Sequence, residues 1–256
     1  MKVLVTGASE GIGRSFSLIM SRLGHEVTSV ARNELRLKEL DQEAGAKHKS
    51  VAADLTTSEG LEKISHLLLN EKYDLLINNA GLGVYGAFRE RSSLDLAQML
   101  DLNCKALVAL SQAFLKNAKA GDALVNISST SCFFPMPVAS LYAGTKHFVT
   151  GFTESLWFEE RSRGVYILAL CPGVTETKFH ARAGGKAGQL PTFMTETPDQ
   201  VVATALKHLR IRKHPVVVSG AQKYLIFFSQ FLPRKWLILI AGKMLERGFA
   251  KSNSFN

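Results

Sequence analysis

Short apolar runs alternate along the chain with longer segments whose apolar residues recur at helical spacing. The runs are rich in Val, Ile, Leu and Ala and lack strict apolar–polar alternation, which is typical of parallel strands covered by helices on both faces. Seven such runs predict strands at 2–6, 26–30, 49–53, 74–78, 123–128, 165–170 and 215–219. The segments between them predict helices at 12–23, 33–44, 58–70, 92–118, 140–162 and 198–210.

This alternation predicts an α/β fold, a single-domain Rossmann-type doubly wound parallel sheet of about seven strands flanked by helices. Residues 1–220 are expected to form the main body, and residues 221–256 to extend the same domain. The stretch 178–197 is rich in glycine and alanine and follows the sixth predicted strand. Long loops in compact domains are usually functional, and ligands bind beyond the carboxyl ends of such strands, so this loop is predicted to contact a substrate.

Composition and cysteine usage indicate an ordinary intracellular globular protein. Of the 256 residues, 46% are hydrophobic and 21% are charged. Cys104, Cys132 and Cys171 are far apart, and no Cys-x-x-Cys or Cys/His spacing indicates a disulfide framework or a metal site. Unpaired cysteines suit a reducing compartment, and the apolar run in MKVLVTG is too short for a signal peptide. A cytoplasmic location is therefore expected.

The excess positive charge is concentrated near the C-terminus. The formal net charge is +9. Residues 221–256 contain six basic side chains and one acid: Lys223, Arg234, Lys235, Lys243, Arg247 and Lys251 against Glu246. These cations are not interleaved with stacking aromatic residues in a recognisable module, so binding to nucleic acid is not predicted.

The same C-terminal region contains a strongly apolar segment, residues 224–245. Pro233, Arg234 and Lys235 divide it into pieces of roughly 10 residues, well short of the ~20 that span a bilayer. The simplest interpretation is a buried helix packed on the sheet or on a partner. Three more specific ones stay open: a cover over a lipophilic substrate pocket, a subunit interface, or a segment in a membrane surface with its cations towards anionic headgroups.

A glycine-rich turn follows the first predicted strand. In TGASEGIG (6–13), Gly7, Gly11 and Gly13 stand between that strand and the first predicted helix. Glycine at these positions allows a tight turn and a close approach of backbone to a pyrophosphate, which the helix N-terminus then binds. The position of the turn at the start of a strand–helix–strand pattern predicts a dinucleotide site.

The residues that follow the second strand indicate which dinucleotide binds. An acid at the end of this strand usually binds the ribose 2′-hydroxyl of NAD. This chain has Ala31 and then Arg32 there, and Arg14 follows the glycine turn. Guanidinium groups bind phosphate through paired hydrogen bonds, so the pattern predicts NADP(H). The alternative is that Arg32 only begins a solvated helix.

A tyrosine and a lysine four residues apart are the candidate chemical centre. On a helix, Tyr142 and Lys146 lie on one face. A free phenol has a pKa of about 10, and a nearby ammonium lowers it towards the working range. Tyr142 would then exchange a proton with a carbonyl or alcohol oxygen, while Ser129, at the carboxyl end of the fifth strand, would hydrogen-bond that oxygen. The alternative is an exposed Tyr/Lys pair with no chemistry.

The ordered set of motifs resembles the short-chain dehydrogenase/reductase family from residue 1 to about 177. The set comprises TGASEGIG, Asp54, NNAG (78–81), Asn103, Ser129 in VNISS, YAGTK (142–146) and CPG (171–173). The resemblance selects Ser129 over Ser128, gives Asn103 a water that links Lys146 to solvent, and gives Lys146 a second bond to the nicotinamide ribose. It also implies a homo-oligomer, a dimer or a tetramer.

The resemblance thus implies a catalytic set and a cofactor set. The catalytic set is Asn103, Ser129, Tyr142 and Lys146. The expected cofactor contacts are Gly7, Ser9, Gly11, Ile12, Gly13, Arg14, Arg32, Asp54, Asn79, Gly81, Tyr142, Lys146, Pro172, Gly173 and Thr177. For Asp54 the alternative is capping of the helix that follows.

The expected function is therefore an NADP(H)-dependent oxidoreductase that interconverts a ketone or aldehyde and an alcohol by hydride transfer. The apolar C-terminal segment suggests a lipophilic substrate. A non-catalytic NADP(H)-binding regulator or scaffold is the alternative, although such a protein has no need of a proton donor.

Overall fold

A computed structural model describes residues 1–184, 195–229 and 231–249, the last six of these by their backbone only. Residues 185–194, the middle of the predicted substrate loop, lie outside the described residues.

The strands of the described residues are β1 Lys2–Thr6, β2 Glu26–Ala31, β3 His48–Ala52, β4 Leu75–Asn78, β5 Ala123–Ile127, β6 Tyr166–Cys171, β7 Val174–Thr175, β8 Thr195–Glu196 and β9 Val216–Val218. Seven of them form a parallel sheet at the centre of the molecule, in the order β3-β2-β1-β4-β5-β6-β9. This confirms the predicted doubly wound fold. A second, short parallel pair, β7 with β8, was not predicted.

The helices begin where short polar side chains can accept their first free N–H groups. The helices are α1 Gly11–Arg22, α2 Glu34–Ala44, α3 Ser58–Asn70, α4 Ser93–Leu100, α5 Leu107–Asn117, α6 Ser140–Glu160, α7 Phe179–Arg182, α8 Pro198–Ile211, α9 Gln222–Ser229 and α10 Arg234–Phe249. Asn33, Thr57, Ser92 and Thr197 are such caps, at the starts of α2, α3, α4 and α8.

Two apolar layers hold helices against the two faces of the sheet. Phe16 and Met20 of α1 pack with α8 on one face. Ile64 of α3 and Phe114 of α5 pack on the other. Burial of each side chain of this size stabilises the fold by about 1.5–3 kcal/mol. The helices are therefore firmly packed on the sheet, which supports the loops at its edge.

The predicted helix 92–118 is not continuous. Residues Asp101–Ala106 form a π-helical turn between α4 and α5. A π turn adds a residue to the helical spacing and is frequent at functional sites. It carries Asn103, which is buried.

The C-terminal segment is not buried on the sheet, so that part of the simplest interpretation is wrong, while packing on a partner stays a prediction. α9 buries only one face, with Gln222, Ile226 and Ser229. Large apolar side chains of α9 and α10 are exposed, including Phe228 and Trp236 at 66% and 61%. Within the described ranges, no helix combines the length and the apolar character needed to cross a bilayer.

Gly13 at the start of α1 allows close packing of helix and strand, and its replacement tests this. A Cβ atom there would lie 2.4 Å from both the Gly7 carbonyl oxygen and Asn79 Nδ2. We expect Gly13→Ala to destabilise the fold by about 1–3 kcal/mol, the usual effect of overpacking. Urea unfolding followed by circular dichroism measures the change.

Gly151→Ala on α6 is the matched control for that substitution, because nothing lies within 4 Å of its Cβ position. This helical glycine should gain stability on becoming alanine. Equal effects of the two substitutions would contradict the packing role of Gly13.

Candidate active site

A cavity of about 870 Å³ lies beyond the carboxyl ends of β1, β2, β4, β5 and β6. It includes the point between β1 and β4 where the strand order reverses, which is the usual ligand position in such sheets. The glycine turn lines one end and the C-terminal helices line the other. The cavity therefore joins a backbone-rich groove to an apolar chamber.

The glycine turn forms the floor of the groove. Gly7 has a φ of +65°, and a Cβ there would lie 2.8 Å from Ala80 Cα. Asn79 Nδ2 donates to the carbonyl oxygens of Thr6 and Gly7 at 2.9 and 3.2 Å, so β4 fixes the turn. The backbone can thus approach a bound anion closely, at the N-terminus of α1.

Most of the predicted cofactor residues line this cavity, and two do not. Gly13 packs against Gly7 and Asn79 instead, as described above. Arg14 Nη2 binds Glu43 Oε2 on α2 and does not reach the cavity wall. The residues that do line it are Gly7, Ser9, Gly11, Ile12, Arg32, Asp54, Asn79, Gly81, Tyr142, Lys146, Pro172, Gly173 and Thr177.

The end of β2 presents two cations, one of which the sequence reasoning missed. Arg32 lines the cavity, with Nη1 3.5 Å from Asp54 Oδ2. Arg36, one turn further along, also lines it and donates from Nη1 to Glu10 Oε2 at 2.6 Å. Arg36 lies in the first turn of α2, directly after the end of β2, and this position was the signal available in the sequence.

Asp54 does not cap the helix that follows it. Thr57 caps α3, accepting from Gly60 N at 3.1 Å. Asp54 Oδ1 accepts from the backbone N and the hydroxyl of Thr56 at 2.9 and 2.7 Å. Burial raises the pKa of the Asp54 carboxyl, but these bonds and the Arg32 guanidinium outweigh it and hold that pKa below its usual value. A stable carboxylate therefore borders the groove.

Tyr142 and Lys146 lie side by side, buried, on one face of α6. Lys146 Nζ lies 5.8 Å from the centroid of the Tyr142 ring and donates to the Ile127 carbonyl oxygen at 2.9 Å. That carbonyl belongs to the last residue of β5. The end of the strand thus orients the amine beside the phenol.

The pKa of Tyr142 is raised, contrary to the lowering expected from Lys146. Burial raises it to about 12, and a hydrogen bond with the Ser129 hydroxyl offsets only part of this. Burial also lowers the pKa of Lys146 to about 8, which weakens the positive charge expected to act on the phenol. The effect of burial on the pKa of Tyr142 is therefore larger than any lowering by the nearby Lys146.

The two adjacent serines at the end of β5 have different surroundings. The Ser128 hydroxyl donates to the Lys146 carbonyl oxygen at 3.0 Å and lies 2.7 Å from Thr150 Oγ1. The Ser129 hydroxyl faces Tyr142, and it accepts from Ser131 N at 3.1 Å. Ser128 thus fixes α6 to the strand, and Ser129 is placed for chemistry.

Asn103 is held on both sides of its amide group. Oδ1 accepts from Leu82 N at 2.8 Å, and Nδ2 donates to Leu82 O at 2.9 Å and to Thr145 Oγ1 at 3.1 Å. A Cβ on Gly81 would lie 3.5 Å from Asn103 Oδ1 and 3.8 Å from Lys146 Nζ. Asn103 therefore connects the loop after β4 with α6, beside Lys146.

An aromatic wall beside Tyr142 was not predicted. The Tyr85 ring meets the Tyr142 ring edge-on at 5.7 Å, and the Phe179 ring lies 5.5 Å from it. The Tyr85 hydroxyl is 3.4 Å from His180 Nδ1. Tyr85 is far in the sequence from Phe179 and His180, and none of these three belongs to a motif, so only the folded chain brings them together beside Tyr142.

An ion pair joins the start of the substrate loop to the glycine turn. Arg182 of α7 binds the carboxylate of Glu10, with Nη2 to Oε2 at 2.7 Å. Glu10 also binds Arg36. α7 is therefore fixed over the cavity by a side chain that borders the cofactor groove.

Gln222 at the start of α9 fixes the C-terminal segment to the site. Its Oε1 accepts from the Thr130 hydroxyl at 2.8 Å. Its side chain also packs on Gly173, where a Cβ would lie 2.8 Å from Gln222 Cδ. The helices that follow complete the apolar chamber with Leu225, Phe228, Ser229, Leu232, Leu237, Ile240 and Ala241.

Comparison with known proteins agrees with this geometry. A 3beta-hydroxysteroid dehydrogenase of Mediterraneibacter gnavus is 30% identical over 212 residues, with 77% of this chain and 73% of that protein covered. The very-long-chain 3-oxoacyl-CoA reductase of Macaca fascicularis is 29% identical over 214 residues, with 80% of this chain and 67% of that protein covered.

A solved structure extends the likeness to the whole fold. A short-chain dehydrogenase from Sphingobium yanoikuyae, in complex with NADPH, superposes with a TM-score of 0.77 at 28% identity, covering 99% of this chain and 96% of that one. The short chain dehydrogenase family model matches residues 1–187, the part that contains the predicted motifs. The chain therefore belongs to the short-chain dehydrogenase family of oxidoreductases.

Proposed function

We propose that this protein reduces a lipophilic ketone or aldehyde to the alcohol with NADPH. The observation that carries the proposal is the set of half-buried Ser129 and buried Tyr142 and Lys146 between a dinucleotide-type groove and an apolar chamber. The homologous proteins named for a 3-oxoacyl-CoA and a 3beta-hydroxysteroid support a carbonyl or alcohol group on a lipophilic body.

The groove fits an NADP(H) molecule. The positive φ of Gly7 and the absence of side chains at Gly7 and Gly11 leave the backbone open to a pyrophosphate at the start of α1. Arg32 and Arg36 at the end of β2 would bind a 2′-phosphate, and Lys146 would bind the nicotinamide ribose. When bound, the reduced nicotinamide supplies a hydride to the carbonyl carbon.

Two protein side chains act on the carbonyl oxygen of the substrate: one binds it and the other protonates it. Ser129 donates a hydrogen bond to the carbonyl oxygen and steadies the negative charge that develops there. Tyr142 then transfers its hydroxyl proton to that oxygen. Because burial raises the pKa of Tyr142 to about 12, the phenol is protonated at neutral pH and holds the proton that reduction requires.

The test is a screen of ketones and secondary alcohols with NADPH and NADH, followed by the absorbance of the reduced nicotinamide. Steroid ketones and long-chain 3-oxo compounds should be reduced faster than short polar ketones, and NADPH should be preferred. Binding of NADPH without turnover of any compound would instead favour a regulatory protein.

The lowered pKa of Lys146 predicts a pH dependence for cofactor capture. The ammonium form donates hydrogen bonds to a ribose, and it loses its proton as the pH rises through about 8. The kcat/KM for NADPH should therefore be level well below that pH and fall above it, since this parameter reports the free enzyme. Steady-state rates across the pH range measure it.

Cys132 supplies the control for that profile, because its thiol is another titratable group close enough to affect Tyr142 and Lys146. The inflection should persist in Cys132→Ser. Its disappearance in that variant would assign the titration to the thiol and not to Lys146.

A further inference from the structure

The outer surface of α9 and α10 is the largest feature that the proposed reaction leaves unexplained. Ten of the twenty exposed large apolar side chains recorded among the described residues lie between 224 and 240. We define the C-terminal apolar surface as the exposed side chains of this segment that do not line the cavity: Tyr224, Phe227, Phe231, Trp236, Ile238 and Leu239, which are 40% to 73% exposed. Exposed apolar patches of this extent mark binding surfaces.

The cations of α9 and α10 indicate which kind of partner binds to the C-terminal apolar surface. Lys223 lies in the first turn of α9, and Arg234 and Lys235 begin α10, all three exposed. Neither first turn contains an acid. Because a helix N-terminus is already positive, cations are unfavourable there unless an anion is close.

A second copy of the chain fits this surface poorly, since pairing the same segment would bring like charges together. A bilayer with anionic headgroups satisfies both observations: phosphates meet the three cations, and the aromatic side chains enter the boundary between headgroups and acyl chains. We propose that the C-terminal apolar surface docks this protein on an anionic lipid bilayer.

The same helices connect this surface with the chamber. Leu225 and Phe228 line the cavity and are also 52% and 66% exposed, so they form part of its mouth. A protein docked on the bilayer through α9 and α10 holds this mouth against the acyl chains. A lipophilic substrate then reaches Tyr142 without crossing water; this last step rests on the proposed function, whereas the docking does not.

The test of docking is co-sedimentation of the full chain with two kinds of vesicle. One kind is phosphatidylcholine alone, and the other contains phosphatidylglycerol as well. The protein should be retained on the anionic vesicles, with less retention at high salt, and should stay in solution with phosphatidylcholine.

Two double variants separate the two parts of the surface. Arg234→Gln/Lys235→Gln should weaken partition onto anionic vesicles by about thirtyfold, at about 1 kcal/mol for each cation near such a surface. Phe231→Ser/Trp236→Ser should abolish retention. These four residues do not line the cavity, so reduction of a water-soluble ketone without vesicles should be unchanged.

The matched controls have the same chemical changes elsewhere on the surface. Arg210→Gln/Lys213→Gln removes two exposed cations near the end of α8, and Phe88→Ser/Leu94→Ser removes two side chains that are 59% and 65% exposed. Both controls should be retained like the unmodified chain.

Other outcomes would overturn the docking proposal. One is equal retention of the tail variants and the controls. Another is failure of the unmodified chain to bind either kind of vesicle. If light scattering then shows a dimer that Phe231→Ser/Trp236→Ser dissociates, the surface is a subunit interface. Vesicle binding without reduction of any ketone would preserve the docking and contradict the proposed function.

Discussion

Tyr142→Phe is expected to reduce turnover of the best ketone by about 10²- to 10⁴-fold, the usual contribution of a positioned proton donor. Phenylalanine keeps the ring that contacts Tyr85 and Phe179 at 5.7 and 5.5 Å, so the cavity wall should remain in place. The variant loses only the hydroxyl that faces Ser129. Single-turnover rates with NADPH, together with its Kd from fluorescence quenching, measure the two effects separately.

Tyr85→Phe is the matched control, with the same chemical change in the adjoining ring. The Tyr85 hydroxyl lies 3.4 Å from His180 Nδ1, and its ring lines the same cavity wall as the Tyr142 ring. Its loss should change turnover by well under the 10²- to 10⁴-fold that a positioned proton donor contributes. Full activity of Tyr142→Phe, or an equal loss in both variants, would remove Tyr142 from the reaction.

The sheet was predictable because each of its strands is a short, continuous apolar run, a local pattern that indicates a buried parallel strand. β1 matches its predicted range, and the other six sheet strands begin and end within two residues of theirs. The π turn at Asp101–Ala106 was not predictable, since it continues a helical pattern without a Gly or Pro to mark it. Its Asn103 bonds to Leu82 and Thr145, contacts that exist only in the folded chain.

In the candidate site, too, residues that belong to contiguous motifs were predictable, and contacts between distant segments were not. Residues within contiguous motifs, such as Gly7, Tyr142 and Lys146, lie where the motifs place them. Arg14 was assigned to the groove from its position in the chain, but Glu43 binds it outside the cavity. Arg14 turns to α2 and not to the groove because Glu43 of α2 lies within reach of its guanidinium.

The pKa of Tyr142 was mispredicted for a related reason. The spacing of Tyr142 and Lys146 identifies a pair but does not show how deeply the pair is buried. Burial raises the pKa of the phenol and lowers that of the amine, and it outweighs their proximity. Depth is set by α6 packing against β5 and β6, which no local pattern encodes.

The two arginines at the end of β2 give the second large expected effect. Arg32→Ala/Arg36→Ala should raise the Kd for NADPH by roughly a hundredfold or more, since a hydrogen bond to a charged group contributes about 1.5–3 kcal/mol. The Kd for NADH should change little, because that cofactor has no 2′-phosphate. Titration of intrinsic fluorescence with both cofactors measures the preference directly.

The existing ion pairs make this variant interpretable. Glu10 keeps Arg182 when Arg36 is removed, and Asp54 keeps its bonds from Thr56 when Arg32 is removed, so neither carboxylate loses all its partners. Arg32 is 66% exposed and Arg36 only 32%, so solvent should screen Arg32 more, and Arg36→Ala alone should have the larger effect.

Arg14→Ala is the control for this pair, because its guanidinium binds Glu43 and lies outside the cavity wall. It should leave the ratio of the two Kd values unchanged. If Arg14→Ala lowers the preference for NADPH and the double variant does not, the phosphate lies at the glycine turn and not at the end of β2. That result would favour the assignment of Arg14 made from the sequence over the position it has in the folded chain.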